Sequence, residues 1–299
     1  MISRRGFLKT LGGGFAALMA LGGYAVAEPL WRPRITRTTL TPNGWPLGLK
    51  LRIAMLADFH ACEPWMPAER IASICEMANE LQPDVVCLLG DYVSGMRLVT
   101  SYVSSADWAQ ALKILKAPLG VHAVLGNHDY WEDLRFQRSA GAGNIATEAL
   151  RGVGIRTYIN EVARLEKDGH SFWLAGPGDQ LALRPGQSFG RKRMSGIDDL
   201  PGTMAQIKDA SPIILMAHEP DIFPQVSSRV GLTLSGHTHG GQVDVFGWRP
   251  VAASRGSRRY PAGHFREGAR DLIVSRGLGC SGLPIRFGVP PEINLIELG

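Results

Sequence analysis

Val121-His122-Ala123-Val124-Leu125-Gly126-Asn127-His128-Asp129 is an apolar-biased run that stops on a glycine and three side chains able to bind metal or move protons. The run has the length of a strand, and the glycine marks a turn off it. The same construction recurs on both sides. Leu51–Leu56 leads to Asp58 and His60, and Val85–Leu89 leads to Gly90-Asp91. Further on, 213–217 ends at His218, and 232–234 ends just before Gly236-His237-Thr238-His239.

Helical spacing fills the gaps. Residues 67–81 place Ile71, Ile74, Cys75 and Ala78 on one face, and 107–115 do the same with Trp108, Ala111, Leu112 and Leu115. Strands are expected at 171–175, 272–274 and 293–298, and a helix opening with acids at 198–208. Strand, polar turn, helix and strand in succession predict βαβ units around a buried sheet, hence an α/β fold. Neither a repeat nor a dividing linker is visible, so one domain over 49–299 is expected. It is preceded by an extended, Pro-, Thr- and Arg-rich lead-in over 28–48.

Polar clusters at the carboxyl ends of strands meet in the ligand crevice of an open α/β sheet. Five of the eight histidines fall in these clusters. Carboxylates, imidazoles and one amide form a mixed oxygen and nitrogen set suited to Mn, Fe or Zn. There are more of them than one tetrahedral ion needs, and two divalent ions sharing a carboxylate would use them all.

Asp58-Phe59-His60, Gly90-Asp91, Gly126-Asn127-His128-Asp129, Ala217-His218 and Gly236-His237-Thr238-His239 stand in an order that resembles the calcineurin-like metallophosphoesterases. Gly240-Gly241-Gln242 and the stretches 275–279 and 291–293 are similar to the exported YkuE/YaeI-like phosphodiesterase branch. The resemblance implies a four-layer α/β/β/α sandwich. It implies that Asp58, His60 and His239 bind one metal, that Asn127, His218 and His237 bind the other, and that Asp91 bridges both. His128 is then no ligand. It protonates the leaving oxygen, with Asp129 orienting its ring, while a metal-bridging hydroxide attacks phosphorus in line. Glycines 90, 126 and 236 fit tight turns off strands, and Asp221 reads as a helix cap.

The 299 residues carry 32 basic and 27 acidic side chains, a formal +5. An apolar share of 45% excludes a disordered or fibrous chain. Much of the charge excess is N-terminal. Ser3-Arg4-Arg5-Gly6-Phe7-Leu8-Lys9 resembles a twin-arginine export motif, followed by an uncharged stretch to Ala25-Val26-Ala27. Five glycines weaken that stretch as a membrane helix. Residues 1–27 are therefore expected to be an export signal, with an uncleaved anchor as the alternative. Removing Arg4, Arg5 and Lys9 leaves 29 basic against 27 acidic residues, a net of +2. The glycine triplet 12–14 follows no strand and precedes no G-K-[ST], so it is not a phosphate loop.

Cys62, Cys75, Cys87 and Cys280 form no C-x-x-C pair, which excludes a zinc knuckle or thioredoxin-type site. Cys87 reads as a buried small hydrophobe, and the disulfide state stays open. Arginines 255, 258, 259, 266, 270 and 276, and the run Arg191-Lys192-Arg193, fit either an anionic ligand or a solvated surface. Trp65, Trp131, Trp248 and Tyr260 fit either a ligand wall or packing. No nucleic-acid partner is expected, because basic and aromatic residues do not interleave. The expected activity is a dimetal-dependent phosphoesterase, a phosphodiesterase first of all, exported to the periplasm or envelope by the twin-arginine machinery. A UDP-2,3-diacylglucosamine-type pyrophosphatase and a non-catalytic metal-binding envelope protein remain alternatives. An imidazole that binds no metal, His128, argues against the last.

Overall fold

Two six-stranded sheets lie face to face, one from the first half of the chain completed by its last strand and the other from the segment between. The structure, a computed structural model, describes residues 3–139, 143–186 and 193–299. In the first sheet β1 (Arg34–Leu40) pairs with β14 (Glu292–Leu298), followed by β2 (Leu51–Leu56), β4 (Val85–Leu89), β6 (Val121–Val124) and β7 (Arg156–Thr157). The second runs β12 (Gly263–Glu267), β13 (Arg270–Val274), β11 (Leu232–Ser235), β10 (Ile213–Met216), β9 (His170–Gly176) and β8 (Glu161–Lys167). β3 (Cys62–Glu63) and β5 (Ser101–Tyr102) form a small ribbon beside them.

Alternate residues of each central strand face opposite layers. Ile53, Met55, Val85, Cys87 and Leu89 meet Phe172, Leu174, Ile214, Met216, Leu232 and Leu234 between the sheets. Ala54, Leu56, Val86 and Leu88 instead face the helices α2 (Ala68–Glu80), α3 (Ser105–Leu112) and α6 (Ile145–Gly152). On the other side Ile213 and Leu215 pack with Leu200 and Met204 of α7 (Leu200–Ala205). Helix, sheet, sheet, helix is thus the layering. Every fully buried Leu or Ile in it stabilises the fold by about 2 kcal/mol.

Strands β2, β4 and β6 are parallel, as are β9, β10, β11 and β13. Their carboxyl ends gather the polar loops at one margin of the sandwich. There the sheets are tied together by His218 Nδ1–H donating to Leu89 O (2.6 Å), and by Leu278 N and Gly279 N donating to Ala57 O and Asp58 O.

Some elements differ from expectation. Arg34–Leu40, within the expected lead-in, is a full strand of the first sheet. β8 and β12 had no strand signal at all. The helix expected at 198–208 is confined to Leu200–Ala205, with Asp199 accepting from Gly202 N as its cap. Arg4–Ala27 forms one continuous helix, α1, which its five glycines do not interrupt. The remaining helices, α4 (Asn127–Trp131), α5 (Leu134–Ser139) and α8 (Arg255–Arg259), lie near the site margin or in its connections. Asp221 does cap a helix, although not its own: its carboxylate accepts from Gly256 N at the start of α8. All four cysteines are buried free thiols. Of the basic run, Arg191 and Lys192 lie outside the described residues.

Candidate metal centre

The chain leaves its strands through an uncommon backbone. Asp58 (φ 57°), His60 (49°), Asp91 (56°), His237 (67°) and His239 (50°) all lie in the left-handed region. For residues with a Cβ this costs about 1 kcal/mol or more each, and such strain concentrates at functional sites. Only one of the three glycines expected at turns needs its conformational freedom, Gly90 at φ 91°. Gly126 and Gly236 are required by crowding instead. A Cβ on Gly126 would sit 2.4 Å from Asp91 Oδ1 and 2.6 Å from His218 Cε1, and one on Gly236 would sit 2.8 Å from Asp58 Oδ2.

The strand ends bring together three groups whose candidate ligand atoms lie within 4.8 Å of one another: Asp58, His60 and His239; Asp91, His218 and His237; and His60, Asp91 and His128. Asn127 joins the second group, its Oδ1 2.9 Å from His237 Nδ1. Asp91 belongs to two groups, its Oδ2 lying 3.4 Å from His60 Nε2 and 3.3 Å from His218 Nε2.

These atoms fit a bound cation. His218 and His60 each donate Nδ1–H to a carbonyl, Leu89 O and Val93 O, which leaves the Nε2 lone pair aimed inward. Two such lone pairs converge on one carboxylate oxygen, an arrangement that is repulsive unless a positive charge lies between them. His218 Nε2 is buried with no hydrogen-bond partner among the described residues, and His60 Nε2 lies 3.0 Å from His239 Nε2.

Burial lowers the pKa of His60 and His237 to about 3 and holds that of His239 well below its ordinary range, so these three rings are neutral, as ligation demands. Burial also raises Asp58 to about 7. Burial opposes ionisation of Asp91 and protonation of His218 as well, but their mutual contact wins. Asp91 is held well below the carboxylate range and His218 is raised, the proton between them standing where a cation would take its place.

A family model of the calcineurin-like phosphoesterases matches residues 51–241, which hold every one of these side chains. The chain belongs to the calcineurin-like phosphoesterases. It is 31% identical to the metallophosphoesterase YkuE of Bacillus subtilis over 309 residues, covering 99% of this chain and 98% of that one. It is 28% identical to the phosphodiesterase YaeI of Escherichia coli, with both chains covered completely. A zebrafish (Danio rerio) transmembrane protein with a metallophosphoesterase domain is 28% identical, over 95% of this chain and 60% of that one. The protein is a metal-dependent phosphoric ester hydrolase with ligand groups for a dimetal centre.

One expected contact of this phosphoesterase is absent. Asp129 does not orient the His128 ring. Its two oxygens accept from the backbone N–H groups of Asp91, Tyr92, Val93 and Gly126, at 2.9–3.0 Å. Burial raises its pKa to about 7, against four donors that favour the ionised form. The carboxylate that faces the ring is Glu132, with Oε1 3.4 Å from His128 Nδ1. It lies one helical turn on in sequence, a spacing that makes neighbours on a helix. Gly95 makes room for the pair, since a Cβ there would lie 2.6 Å from both atoms. Burial opposes protonation of His128, but Asp91 and then Glu132 outweigh it and raise its pKa.

Arg286, which no sequence motif marked, is fully buried. It donates to Gly279 O, Val289 O and Arg276 O, with Nη2 3.4 Å from His239 Nδ1. Among the aromatics, Trp131 packs beside His128 (ring centroids 5.1 Å apart) and donates to Leu181 O. Trp65 donates to Leu98 O, Tyr260 is buried against Phe223, and Trp248 is exposed. Arg259, Arg266, Arg270 and Arg276 pair with Glu267, Asp271 or Glu292, so four of the six late arginines serve local structure.

Proposed function

We propose that the phosphoesterase hydrolyses phosphodiesters on the outer side of the cytoplasmic membrane. Asp58, His60 and His239 would hold one divalent ion, Asn127, His218 and His237 a second, with Asp91 placed to serve both. The donor set favours Mn, Fe or Zn. The observation that carries this reading is the meeting of the Asp58–His60–His239 and Asp91–His218–His237 groups, with Asp91 Oδ2 3.4 Å from His60 Nε2 and 3.3 Å from His218 Nε2. Two ions held there would make a water molecule acidic enough to act as nucleophile and offset the negative charge of the phosphate.

The rest of the chemistry falls to the side chains. His128 is the most open of the five imidazoles, its side chain 15% exposed, and it contacts the shared carboxylate through its own backbone, His128 N donating to Asp91 Oδ1 (2.8 Å). It donates the proton that the leaving oxygen takes up as its bond to phosphorus breaks. Glu132 holds the ring and favours its protonated form. Asp129 fixes the loop that carries both. The diester preference draws on the relative named a phosphodiesterase. Export draws on the Ser3–Lys9 motif at the head of α1, which directs the folded chain through the twin-arginine machinery.

Purified protein with Mn²⁺ is expected to hydrolyse bis-p-nitrophenyl phosphate, and no turnover with any divalent ion would overturn the reading. Arg4→Lys with Arg5→Lys is expected to leave the protein in the cytoplasm, as read by fractionation. Unchanged export would refute the twin-arginine route.

A further inference from the structure

Helix α1 has 24 residues, a length of roughly 36 Å at 1.5 Å per residue against a hydrocarbon core of about 30 Å. Its most apolar 18-residue window is wholly unburied, and its charges, Arg4, Arg5 and Lys9, are all at one end. The other end is joined firmly to the body. Arg286 N donates to Ala25 O (2.9 Å), Tyr24 packs edge-on against both Phe287 (5.2 Å) and Trp31 (5.3 Å), and the buried Glu28 accepts from Gly288 N (2.8 Å). Tyr24 and Ala25 lie before the cleavage point expected after Ala27, so cleavage there would remove contacts that the folded body makes.

The segment that receives α1 also braces one wall of the site. Phe287 N donates to Gln242 O and Asp244 N to Phe287 O, both at 2.8 Å, which fastens the loop that follows His239 to the foot of the helix. Val245 and Trp248 exchange backbone hydrogen bonds and make Phe246-Gly247 the tip of a two-residue hairpin, with both tip residues at positive φ. Such a tip favours Asn-Gly. Here a phenylalanine occupies it, strained and fully solvated, and Trp248 (65%), Val251 (63%) and Leu283 (53%) are exposed around it. Water gives no reason for this choice of residues. A bilayer surface does, since aromatic side chains concentrate at the membrane interface.

Between this loop and 281–285 lies a cavity of about 350 Å³, within the range of small-molecule sites. Val243, Val251, Ala253, Leu283 and Ile285 line it, and so does His239 of the metal centre. Arg258, exposed on α8, borders the adjoining hollow with Trp248 and Val251, a position suited to anionic headgroups.

We infer that α1 is retained, that the 246–251 loop dips into the same bilayer, and that the substrates are phosphate esters of membrane lipids, with an aliphatic chain in this cavity and the phosphate at the metal groups. The inference rests on the phosphoesterase reading and adds the substrate class. The reaction is the same hydrolysis. The oxygen of water bonds to phosphorus, one ester P–O bond breaks, and the leaving oxygen takes a proton. No co-reactant beyond water is needed.

The test uses the full chain, Mn²⁺-loaded, in lipid nanodiscs, with p-nitrophenyl phosphodiesters bearing methyl, butyl or octyl groups. The kcat/KM is expected to rise at least about thirtyfold from methyl to octyl. Val251→Asp and Leu283→Asp, both at exposed positions, are expected to cut that octyl-to-methyl ratio at least fivefold. A flat series would overturn the inference, and dimers in mass photometry alongside it would assign the cavity to a second copy. Release of p-nitrophenol from no ester at all would instead sink the phosphoesterase reading. Independently of activity, brominated lipids are expected to quench tryptophan fluorescence in part through Trp248, so that W248F loses that share. Quenching identical to the parent would overturn loop insertion. Intact mass of membrane-extracted protein is expected to include residues 1–27, and a chain beginning at Glu28 would refute the retained helix.

Discussion

The Asp58–His60–His239 group and the group of Asn127, His218 and His237 offer similar donors, yet the fold holds them by different means. All three members of the first sit in left-handed backbone, and Asp58 is hemmed in where Gly236 and Gly277 leave no room for a Cβ. In the second group only His237 is strained. Asn127 opens helix α4, and His218 follows β10 with its ring fixed by Leu89 O. One half of the site is therefore prepared by local strain and crowding, and the other by ordinary strand and helix ends. Asp91, itself left-handed, joins them.

The sharpest way to break this contrast is to remove what the halves share. Asp91→Asn is expected to reduce turnover of bis-p-nitrophenyl phosphate to background and to leave less than about one ion per chain, whereas Asp58→Asn keeps about one, held by the His218 group. Elemental analysis decides, and two ions in D91N would show that the halves are independent. His128→Ala is expected to lose about 10³-fold in turnover with its metals retained. Metal loss there would make His128 a ligand, as its proximity to His60 and Asp91 permits. Glu132→Gln removes a charge that raises the His128 pKa. An acid is active below its pKa, so the variant's kcat/KM is expected to fall off at lower pH than the parent's, with about a tenfold loss at neutral pH. An unmoved basic limb would remove Glu132 from the chemistry.

Crowding makes a smaller prediction. Gly126→Ala is expected to lower stability by about 1–3 kcal/mol in urea titrations of chelated protein, because its Cβ meets Asp91 and His218. An unchanged midpoint would show that the site relaxes freely. The smallest effect is expected at the thiols. Burial raises Cys75 and Cys87 to about 12, so they stay protonated up to pH 9, and mass spectrometry should find no iodoacetamide adducts on them before unfolding.

The margin that holds the site was legible because its strands are buried on both faces and end on residues with few structural uses. Val85–Leu89 and Ile213–Met216 read as apolar runs for that reason. Edge strands carry no such signal. Arg34–Leu40, Glu161–Lys167 and Gly263–Glu267 pair on one side only and, Ala163 apart, hold only exposed and half-buried residues, so their sequences look like loop. Within the site, residue types revealed the ligands, but not what holds them. Glu132 was findable from its spacing to His128. Arg286 was not, because its partners are main-chain carbonyls that have no sequence identity. Gly126 and Gly236 were placed correctly for the wrong cause, since crowding by Asp91, His218 and Asp58 depends on tertiary contacts that turn grammar does not encode.

Asp129 carries a consequence of another kind. Its carboxylate binds four main-chain N–H groups and leaves the reacting groups alone, so the last letter of the G-N-H-D signature belongs to the scaffold. Four buried N–H groups would lose their acceptor if Asp129 were replaced, whatever stands at position 128. Retention of this aspartate therefore reports on the loop's architecture and not on turnover.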